Sequence, residues 1–314
     1  MFSAQSIPYN QTYSFSKIIT AYLDGEVNLR NFFSQSPNLE GIKAKIEERK
    51  TVATDRSVLV DVLKQQYTGI QTTDAVLQNM DSLLSQDTFT ICTAHQPNLF
   101  TGPLYFVYKI LHVIKMAARL KQELPGYNFV PVYYMGSEDA DFAELNHTYV
   151  DGKKIEWKKE QRGAVGRMVV DKTLVHLIDE LEGQLIGEEH GKEVLDLLRK
   201  SYCNGKTIQT ATFELLNEIY GEYGLVVLIP DHRAFKQQMK KIFEDDLFHN
   251  KPSGIVQQTS ESLSQDYNVQ AHPREINLFY LRDDIRERIE KKSDRFNVLN
   301  TGLSFTEAEL KKEF

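Results

Sequence analysis

The feature that most constrains the fold of this sequence is a strand–helix–strand pattern between residues 88 and 135. Residues 88–94 are mostly apolar or β-branched, which predicts a buried strand. A loop with two prolines and a glycine follows, and residues 104–120 then have the apolar spacing of a helix. Residues 129–135 form a second apolar run. Because a helical crossover joins parallel strands, this pattern predicts a βαβ unit and an α/β fold with a parallel sheet.

The sequence before and after this unit predicts further segments of the same domain. Residues 1–85 have helix-type spacing, so we expect a helical N-terminal segment that packs on the core. Residues 225–229 are a third apolar run and predict a third parallel strand. Between the second and third strands, at about 149–222, we expect an inserted stretch of β structure followed by helices. These helices are predicted near 172–183, 189–201 and 207–222.

The sequence after the third strand predicts a continuation of the core. A helix is expected over 233–248, and the tail contains one more helix and a strand at 275–281. The last residues, 306–313, are charged and have helical spacing, with no strand or cap to close them. The predicted organisation is a helical segment (1–85), a core with its insertion (86–250) and a continuation of the core (251–314).

Composition argues against several classes of protein. The 37 basic and 44 acidic side chains give a net charge of −7, whereas a dedicated nucleic-acid binder usually has a basic surplus. Two cysteines do not support a disulfide framework or a cysteine-based zinc site, and we expect Cys92 to be buried within its apolar run. Residues 1–5 lack a signal-peptide pattern, and charged residues interrupt the apolar stretch 104–120. We therefore expect a cytoplasmic protein that binds neither nucleic acid nor membranes.

Polar residues follow each of the three predicted strands. In an open parallel sheet, ligands bind outside the carboxyl ends of the strands. The residues at these ends are His95 and Gln96, then Ser137, Glu138, Asp139 and Asp141, and finally Asp231 and His232. We expect His95, Glu138 and Asp139 to open onto one pocket, with the other residues as further candidates. The alternative is that they are ordinary polar loop residues.

The loop after the first strand is the candidate phosphate-binding element. The sequence has neither a Gly-x-Gly-x-x-Gly after that strand nor a Walker-type loop. The loop instead leads into a helix N-terminus that attracts anions, and Thr101 and Gly102 would let the backbone approach a phosphate. His95 would donate hydrogen bonds to phosphoryl oxygens. Lys109 would help to bind the phosphate if it faced the cleft. The alternative is that its methylene chain lies along the apolar surface and its ammonium group is solvated.

An acidic cluster follows the second strand. Glu138, Asp139, Asp141 and Glu144 lie within seven residues and repel one another, so they need a cation. An amine-bearing substrate or a magnesium-bound nucleotide would supply it, and an acidic first turn of an exposed helix is the alternative. Glu144 and His147 have Glu-x-x-His spacing, but this spacing alone is a weak signal, and we predict no metal site.

Basic residues outside these clusters leave two interpretations open. Arg162 and Arg167 lie near glycines and would either bind a carboxylate or phosphate as a fork or be solvated. Lys291 and Lys292 resemble the mobile lysine loop of nucleotidylyl-transferring enzymes. The charged residues before them favour an ordinary helix face instead.

Three motifs carry a resemblance to a known family. Residues 93–109 read TAHQPNLFTGPLYFVYK, residues 130–142 read VPVYYMGSEDADF, and residues 274–280 read REINLFY. The first two motifs are long and specific. All three resemble signatures of the bacillithiol-biosynthesis cysteine-adding enzymes, a family of cysteine ligases. The resemblance covers the chain from about residue 10 to its end.

This resemblance implies a fold and a reaction. The implied fold is a Rossmann-like core similar to class I nucleotidylyl transferases, with inserted connecting segments and a coiled coil that mediates dimerisation. In the family the core continues past the position of Phe314 and the coiled coil follows, so the chain resembles an N-terminal fragment. The implied reaction joins L-cysteine to the amine of glucosaminyl-malate, and we expect ATP, with Mg²⁺ as an optional partner, to activate the carboxyl.

The combined interpretation assigns residues to the site. The predicted catalytic residues are His95, Glu138, Asp139 and Asp141. The predicted nucleotide- or substrate-binding residues are Gln96, Asn98, Thr101, Gly102, Lys109, Ser137 and Asp231. Two alternatives stay open, namely a sugar or cofactor nucleotidylyltransferase on the same scaffold and a non-catalytic nucleotide-binding protein. The identity of the general base, and whether AMP or ADP is formed, also stay open.

Overall fold

A parallel sheet of three strands organises the computed structural model, which describes residues 5–313. The strands in chain order are β1 (Thr88–His95), β2 (Asn128–Met135), β3 (His147–Val150), β4 (Lys153–Glu156), β5 (Val226–Leu228), β6 (Phe279–Arg282), β7 (Ile285–Lys292), β8 (Arg295–Val298) and β9 (Ser304–Thr306). The parallel sheet has the order β1–β2–β5. His95 pairs with Met135 and Tyr134 pairs with Leu228, so the three carboxyl ends lie at one edge. The predicted α/β fold is confirmed.

Helices cover this sheet and connect its strands. The α-helices are α1 (Tyr9–Thr12), α2 (Lys17–Asp24), α3 (Leu39–Lys50), α4 (Arg56–Gln66), α5 (Asp74–Ser82), α6 (Leu104–Glu123), α7 (Phe142–Leu145), α8 (Lys172–Leu185), α9 (Gly191–Ser201), α10 (Ile208–Tyr220), α11 (Arg233–Gln238), α12 (Lys240–His249), α13 (Lys251–Leu263) and α14 (Glu307–Leu310). Short 3₁₀ helices occupy Val27–Phe32, Leu99–Thr101, Val165–Arg167 and Gly221–Tyr223. The predicted helical character of the N-terminal segment is confirmed for the residues that the structure describes there.

Helix α6 is the crossover between β1 and β2. Its Phe106, Ile110 and Val113 are buried in the same cluster as Val130 and Tyr133 of β2. A proline at the N-cap position precedes it, where a missing backbone N–H costs no helical hydrogen bond. The predicted βαβ unit is therefore confirmed, with a helix that extends to residue 123 rather than 120.

Strand β1 lies at one edge of the sheet, and this corrects two predictions. Among the described strands it pairs only with β2, and Thr90, Cys92 and Ala94 are exposed along one of its faces. The predictions of a buried first strand and of a buried Cys92 are therefore wrong. The physical reason is that α6 packs on only one face of β1, while the apolar run has no charged residue that would mark the other face as open.

The N-terminal helices α4 and α5 pack at the other edge of the sheet, beside β5. Buried apolar residues of both helices belong to the core cluster of the sheet. Gln66 Nε2 donates to the Ile229 carbonyl at 2.6 Å, and Gln66 Oε1 accepts from the Ile229 amide at 3.1 Å. Tyr67 Oη accepts from the Val227 amide at 2.9 Å. These two side chains satisfy backbone groups that an edge strand would otherwise leave unpaired.

The insertion between β2 and β5 forms a core of its own. Strands β3 and β4 are an antiparallel pair, and α8, α9 and α10 confirm the three predicted helices. The Trp157 ring packs edge-on against Phe142, and its Nε1 donates to Asp171 at 3.1 Å. Leu99 and Phe100, from the loop after β1, are buried in this same cluster. The insertion therefore shares its core with the loop that begins the candidate site.

The C-terminal segment contains an antiparallel sheet, in the order β6–β7–β8–β9, that the sequence predicted only in part. The strand expected at 275–281 begins at Phe279 and belongs to this sheet rather than to the parallel one. Lys291 and Lys292 lie on β7, so the prediction of a charged helix face there is wrong. The reason is that Ile285 and Ile289 are four residues apart, a spacing that fits a helix as well as a strand.

Two smaller differences concern helices near the C-terminus. The helix predicted over 233–248 is divided at Met239 into α11 and α12, and only Glu307–Leu310 of the charged stretch is helical. Residues 1–4 and 314, which belong to the predicted terminal segments and to the signal-peptide interpretation, lie outside the described residues.

The hydroxyl of Tyr67 generates a stability prediction. Tyr67→Phe removes the acceptor of a buried amide and is expected to lower the free energy of unfolding by about 1–3 kcal/mol. Tyr223→Phe is the matched control, because that ring is 64% exposed, and it is expected to change the free energy by less than about 0.5 kcal/mol. Urea unfolding followed by circular dichroism measures both. Equal effects of the two substitutions would contradict the role assigned to the Tyr67 hydroxyl.

Candidate functional site

A cavity of about 360 Å³ opens at the edge where the parallel strands end. Four of the predicted site residues line it, namely His95, Gln96, Glu138 and Asp139. Arg286 of β7 lines it as well, although no sequence signal marked this residue. The parallel register places the ends of β1 and β2 side by side, which is why residues more than forty positions apart meet here.

The backbone at His95 joins the two strand ends. The His95 carbonyl accepts from the Gly136 amide at 2.7 Å and from the Tyr133 hydroxyl at 2.9 Å. Tyr133 is fully buried in the core of the sheet. The position of the His95 main chain is therefore set by a residue of the hydrophobic core, which sequence analysis did not identify as part of the site.

The imidazole of His95 is held in one tautomer. Its Nδ1 lies 3.1 Å from the Gln96 carbonyl oxygen, which can only accept, so Nδ1 carries the hydrogen. Its Nε2 lies 3.2 Å from the Tyr105 hydroxyl, and in this tautomer it accepts the O–H. Burial lowers the pKa of His95, the bond to Gln96 opposes this, and the charge of Lys109 lowers the pKa further. The neutral ring is therefore favoured.

The neutral tautomer of His95 does not fit its predicted role as a hydrogen-bond donor to phosphate. A neutral imidazole whose one N–H is bonded to a backbone carbonyl has no free N–H for a phosphoryl oxygen. Its Nε2 has a lone pair instead. The side chain is thus arranged to accept a proton rather than to donate one to a phosphate.

The Asp139 carboxylate is hydrogen-bonded to Gln96, the residue that follows His95. Its Oδ2 accepts from Gln96 Nε2 at 2.8 Å, and its Oδ1 accepts from the Ala140 amide at 2.7 Å. Arg286 lies 3.9 Å from Oδ1. Burial by itself would raise the pKa of Asp139, but these hydrogen bonds and the arginine charge outweigh it and lower the pKa. The group is therefore ionised near neutral pH.

Glu138 and Asp231 are joined through basic side chains of the protein itself. Lys236 of α11 lies 2.6 Å from a carboxylate oxygen of each residue. Arg167 holds Asp231 in a fork, with Nε–Oδ2 at 2.6 Å and Nη2–Oδ1 at 2.9 Å. Burial raises the pKa of Asp231, but its bonds to Arg167 and Lys236 lower it by more. Arg167 is therefore not solvated, as one interpretation had it. It binds a carboxylate as a fork, and this carboxylate belongs to the protein itself.

The loop between β1 and α6 has an unusual backbone. Phe100, Thr101 and Gly102 all have positive φ, at 52°, 71° and 57°. A Cβ on Gly102 would lie 2.6 Å from the Asn98 Cβ, so only glycine fits there. Asn98 is 5% exposed, and its Oδ1 has no hydrogen-bond partner among the described residues. Such strain persists only where packing supports it, and here the Phe100 ring packs edge-on against Tyr202.

Several predicted site residues do not line the cavity. Asp141 is exposed, Ser137 is 1% exposed, and Asp231 is buried in its ion pairs. Lys109 donates from Nζ to the Ala94 carbonyl at 2.8 Å, which is a backbone contact rather than a cleft position. Asn98, Thr101 and Gly102 shape the loop and are not among the lining residues.

The remaining sequence candidates lie elsewhere. His147 is on β3, where its Nδ1 lies 3.1 Å from the Asn146 side chain, and Arg162 pairs with Glu160 at the surface. Within residues 5–313, no group of three or more His, Cys, Asp or Glu side chains is placed to hold a metal ion. No helix in that described part is long and apolar enough to cross a membrane.

Sequence reasoning missed four functional candidates: Tyr105, Tyr133, Lys236 and Arg286. Tyr105 and Tyr133 lie inside the first two motifs and could have been marked by their polar tips in apolar elements. Lys236 follows Asp231 on the next helix. Arg286 had no local signal, because only the antiparallel sheet brings it to the cavity.

Comparison with known proteins agrees with this architecture. Residues 2–314 match the family model described as bacillithiol biosynthesis BshC, N-terminal Rossmann-like domain. A relative in Flavobacterium psychrophilum, named "Putative cysteine ligase BshC", is 39% identical over 98% of this chain and 58% of its own length. Relatives of the same name in Cytophaga hutchinsonii and Natranaerobius thermophilus are 38% and 28% identical, over 99% and 95% of this chain and 58% and 57% of their own lengths. The chain thus spans a little under three-fifths of these relatives.

The charge of Lys109 generates a prediction for His95. Lys109→Met removes a positive neighbour, so the pKa of His95 is expected to rise toward its ordinary value of 6.5. Lys115→Met on the exposed side of the same helix is the control and is expected to leave it unchanged. A histidine NMR titration measures the shift. The electrostatic account fails if the His95 pKa is the same in wild type and Lys109→Met, or moves equally in the control.

The Asp231 ion pairs generate a prediction of stability and its pH dependence. Asp231→Asn leaves Arg167 and Lys236 without this partner and is expected to lower the free energy of unfolding at pH 7 by about 2–4 kcal/mol. Asp81→Asn, in an exposed pair with Lys64, is the matched control, with an expected loss below about 1 kcal/mol.

The pH dependence follows from the lowered pKa of Asp231. Its contribution is present above the pKa of an unfolded aspartate, about 3.9, and is lost as the pH falls through the lower folded value. The difference in unfolding free energy between wild type and Asp231→Asn is therefore expected to narrow below about pH 4. A difference in urea unfolding that stays constant from pH 7 to pH 3 would contradict this account.

Proposed function

The chain belongs to the bacillithiol-biosynthesis BshC family, and from that membership we propose that it carries the reaction site of a cysteine ligase. The proposed reaction forms an amide between the carboxyl of L-cysteine and the amine of glucosaminyl-malate. The match of the family model over residues 2–314 is the observation that carries the proposal. The cavity at the strand ends supports the location of the site.

The reaction requires activation because oxide is a poor leaving group from a carboxylate. ATP would supply this activation when bound. Transfer of its adenylyl group to the carboxylate oxygen would break the α–β anhydride bond and release pyrophosphate, and transfer of its γ-phosphoryl group would break the β–γ bond and release ADP. The amine nitrogen then attacks the carbonyl carbon, the C–N bond forms, and AMP or phosphate leaves. The nitrogen loses a proton in this step, so the site needs a group that accepts it.

We assign the proton acceptor to His95. Its ring lines the cavity, its neutral form is favoured, and its Nε2 lone pair faces the Tyr105 hydroxyl at 3.2 Å. Glu138 and Asp139 are proposed to orient the attacking amine or the sugar hydroxyls. Gln96 is a positioning residue, because it holds Asp139 by a direct hydrogen bond.

A phosphate contact at the start of α6 is also proposed. The start of α6 has no side-chain cap, so Thr101 and Gly102 stay candidates for a phosphate contact. Glu138 and Asp139 already have Lys236 and Arg286 beside them and do not need Mg²⁺ as a counter-charge.

We propose supporting roles for the remaining predicted site residues. Asn98, Lys109, Ser137 and Asp231 are proposed to hold the lining residues in position. Asp141 is proposed to act only if a substrate extends toward the start of α7. We also propose a cytoplasmic location and segment boundaries near residues 85 and 250. For the full-length protein we propose a homodimer, formed through the coiled coil that the family resemblance implies.

Ligand-dependent thermal stabilisation tests the function. ATP, glucosaminyl-malate and L-cysteine are each expected to raise the melting temperature of the chain, because a ligand that binds only the folded state stabilises it. Pyrophosphate release without cysteine would instead favour the nucleotidylyltransferase. Nucleotide binding with no turnover in the presence of all three ligands would favour the non-catalytic alternative.

The role of His95 generates a prediction of activity. His95→Ala is expected to lower ligase turnover by about 100-fold or more, since general acid–base groups contribute about 10²–10⁴-fold. His112→Ala, at an exposed histidine on α6, is the matched control and is expected to retain full turnover. Mass spectrometry of the amide product, with separation of AMP from ADP, measures both. Full turnover in His95→Ala would refute the assignment.

A further inference from the structure

We propose that Arg286 binds an anionic oxygen group of the ligand, either a carboxylate or a phosphoryl group, in the cavity beside His95. The proposal rests on the proposed function only in taking this cavity as the ligand site. Arg286 lies outside the three sequence motifs, which end at residue 280.

The guanidinium of Arg286 is held in place by an aromatic ring. Its Cζ lies 3.8 Å from the centroid of the Phe279 ring, and its side chain is 21% exposed. Arg286 pairs with Leu281 across the β6–β7 hairpin, so the backbone beneath it is part of a regular ladder. An arginine stacked in this way keeps its N–H groups directed outward from the edge of the guanidinium plane.

The N–H groups of Arg286 have no hydrogen-bond acceptor among the described residues. The nearest carboxylate oxygen is Asp139 Oδ1, at 3.9 Å from Nη2, which is an ion pair beyond hydrogen-bond distance. A guanidinium has five N–H donors and is always charged. A partly buried guanidinium with all its donors free is a strong anion-binding group.

Two other cations near the cavity already have carboxylate partners, and Lys109 donates to the Ala94 carbonyl. Arg167 uses two nitrogens on Asp231, at 2.6 and 2.9 Å. Lys236 lies 2.6 Å from Glu138 and 2.6 Å from Asp231. Arg286 is therefore the basic side chain at the cavity, among the residues described, whose hydrogen-bonding capacity remains for a ligand.

The hairpin that carries Arg286 is seated against the insertion. A Cβ on Gly163 would lie 2.9 Å from the Asp284 carbonyl carbon in the β6–β7 turn, and Gly163 has a φ of +62°. The turn can approach this closely only because residue 163 is glycine. The insertion and the C-terminal sheet therefore meet at the turn of the hairpin that presents Arg286 to the cavity.

The chemistry of the guanidinium defines the ligand group. Carboxylates and phosphoryl groups present two oxygens that match the fork of an arginine. Asp139, beside Arg286, is ionised and would accept from an amine or hydroxyl on the same ligand. A ligand with an anionic group close to an amine or hydroxyl would satisfy both side chains together.

Calorimetric titration of the chain with malate and, separately, with inorganic phosphate tests this proposal at low ionic strength. Arg286→Gln is expected to weaken binding of the preferred anion about tenfold or more. Arg282→Gln removes a charge from the same hairpin at a side chain that is 64% exposed and is expected to leave binding unchanged. Phe279→Leu keeps Arg286 but removes its aromatic support and is expected to weaken binding a few-fold. Melting temperatures of all variants confirm folding.

The anion whose binding is weakened in Arg286→Gln distinguishes a carboxylate site from a phosphoryl site. A loss with malate alone identifies a carboxylate site, and a loss with phosphate alone identifies a phosphoryl site. Unchanged binding in Arg286→Gln, an equal loss in Arg282→Gln, or no binding of either anion by the wild type would overturn the proposal. Since these titrations involve neither ATP nor cysteine, their result does not depend on whether the ligase function is correct.

Discussion

The carboxylate of Asp231 is the group on which the arrangement of the site depends. It follows the third parallel strand, and it accepts from Arg167 of the insertion and from Lys236 of α11. Lys236 also reaches Glu138, which follows the second strand. A buried carboxylate is stable in its ionised form only with such partners. One anion therefore fixes the insertion, α11 and two strand ends relative to one another, and the cavity lies beside them.

Basic side chains of the same network supply the cations that the acidic residues after β2 need. Isolated in the sequence, the carboxylates after β2 repel one another and call for an outside cation. In the folded chain, Glu138, Asp139 and Asp231 lie beside Lys236, Arg286 and Arg167. The site is close to electrically balanced before any ligand binds, so its acidic residues are not by themselves evidence of a metal. Among the described residues, Arg286 lines the cavity and has no hydrogen-bond acceptor, so its donors are available to an anionic group of a ligand.

The histidine loop depends on packing at a distance from the cavity. Phe100 and Thr101 adopt positive φ, a conformation that costs an L-residue free energy unless tertiary contacts compensate. Phe100 is buried in the core of the insertion, and the His95 carbonyl is bonded to Tyr133 in the core of the sheet. The loop is thus held by two hydrophobic clusters at once. These contacts hold the turn in its strained conformation and fix the His95 backbone at the cavity.

The sequence alone determined the βαβ unit, the helical insertion, the strand ends that carry His95, Glu138 and Asp139, and the family. These depend on periodicity, turn residues and motifs, which are properties of consecutive residues. Only the tertiary structure decided that Cys92 is exposed, that residues 285–292 are a strand, that His95 donates to Gln96, and that Arg286 reaches the cavity. The physical reason is that burial, tautomer and ion pairing are set by neighbours in space. Such neighbours come from distant parts of the chain, and no local pattern encodes them.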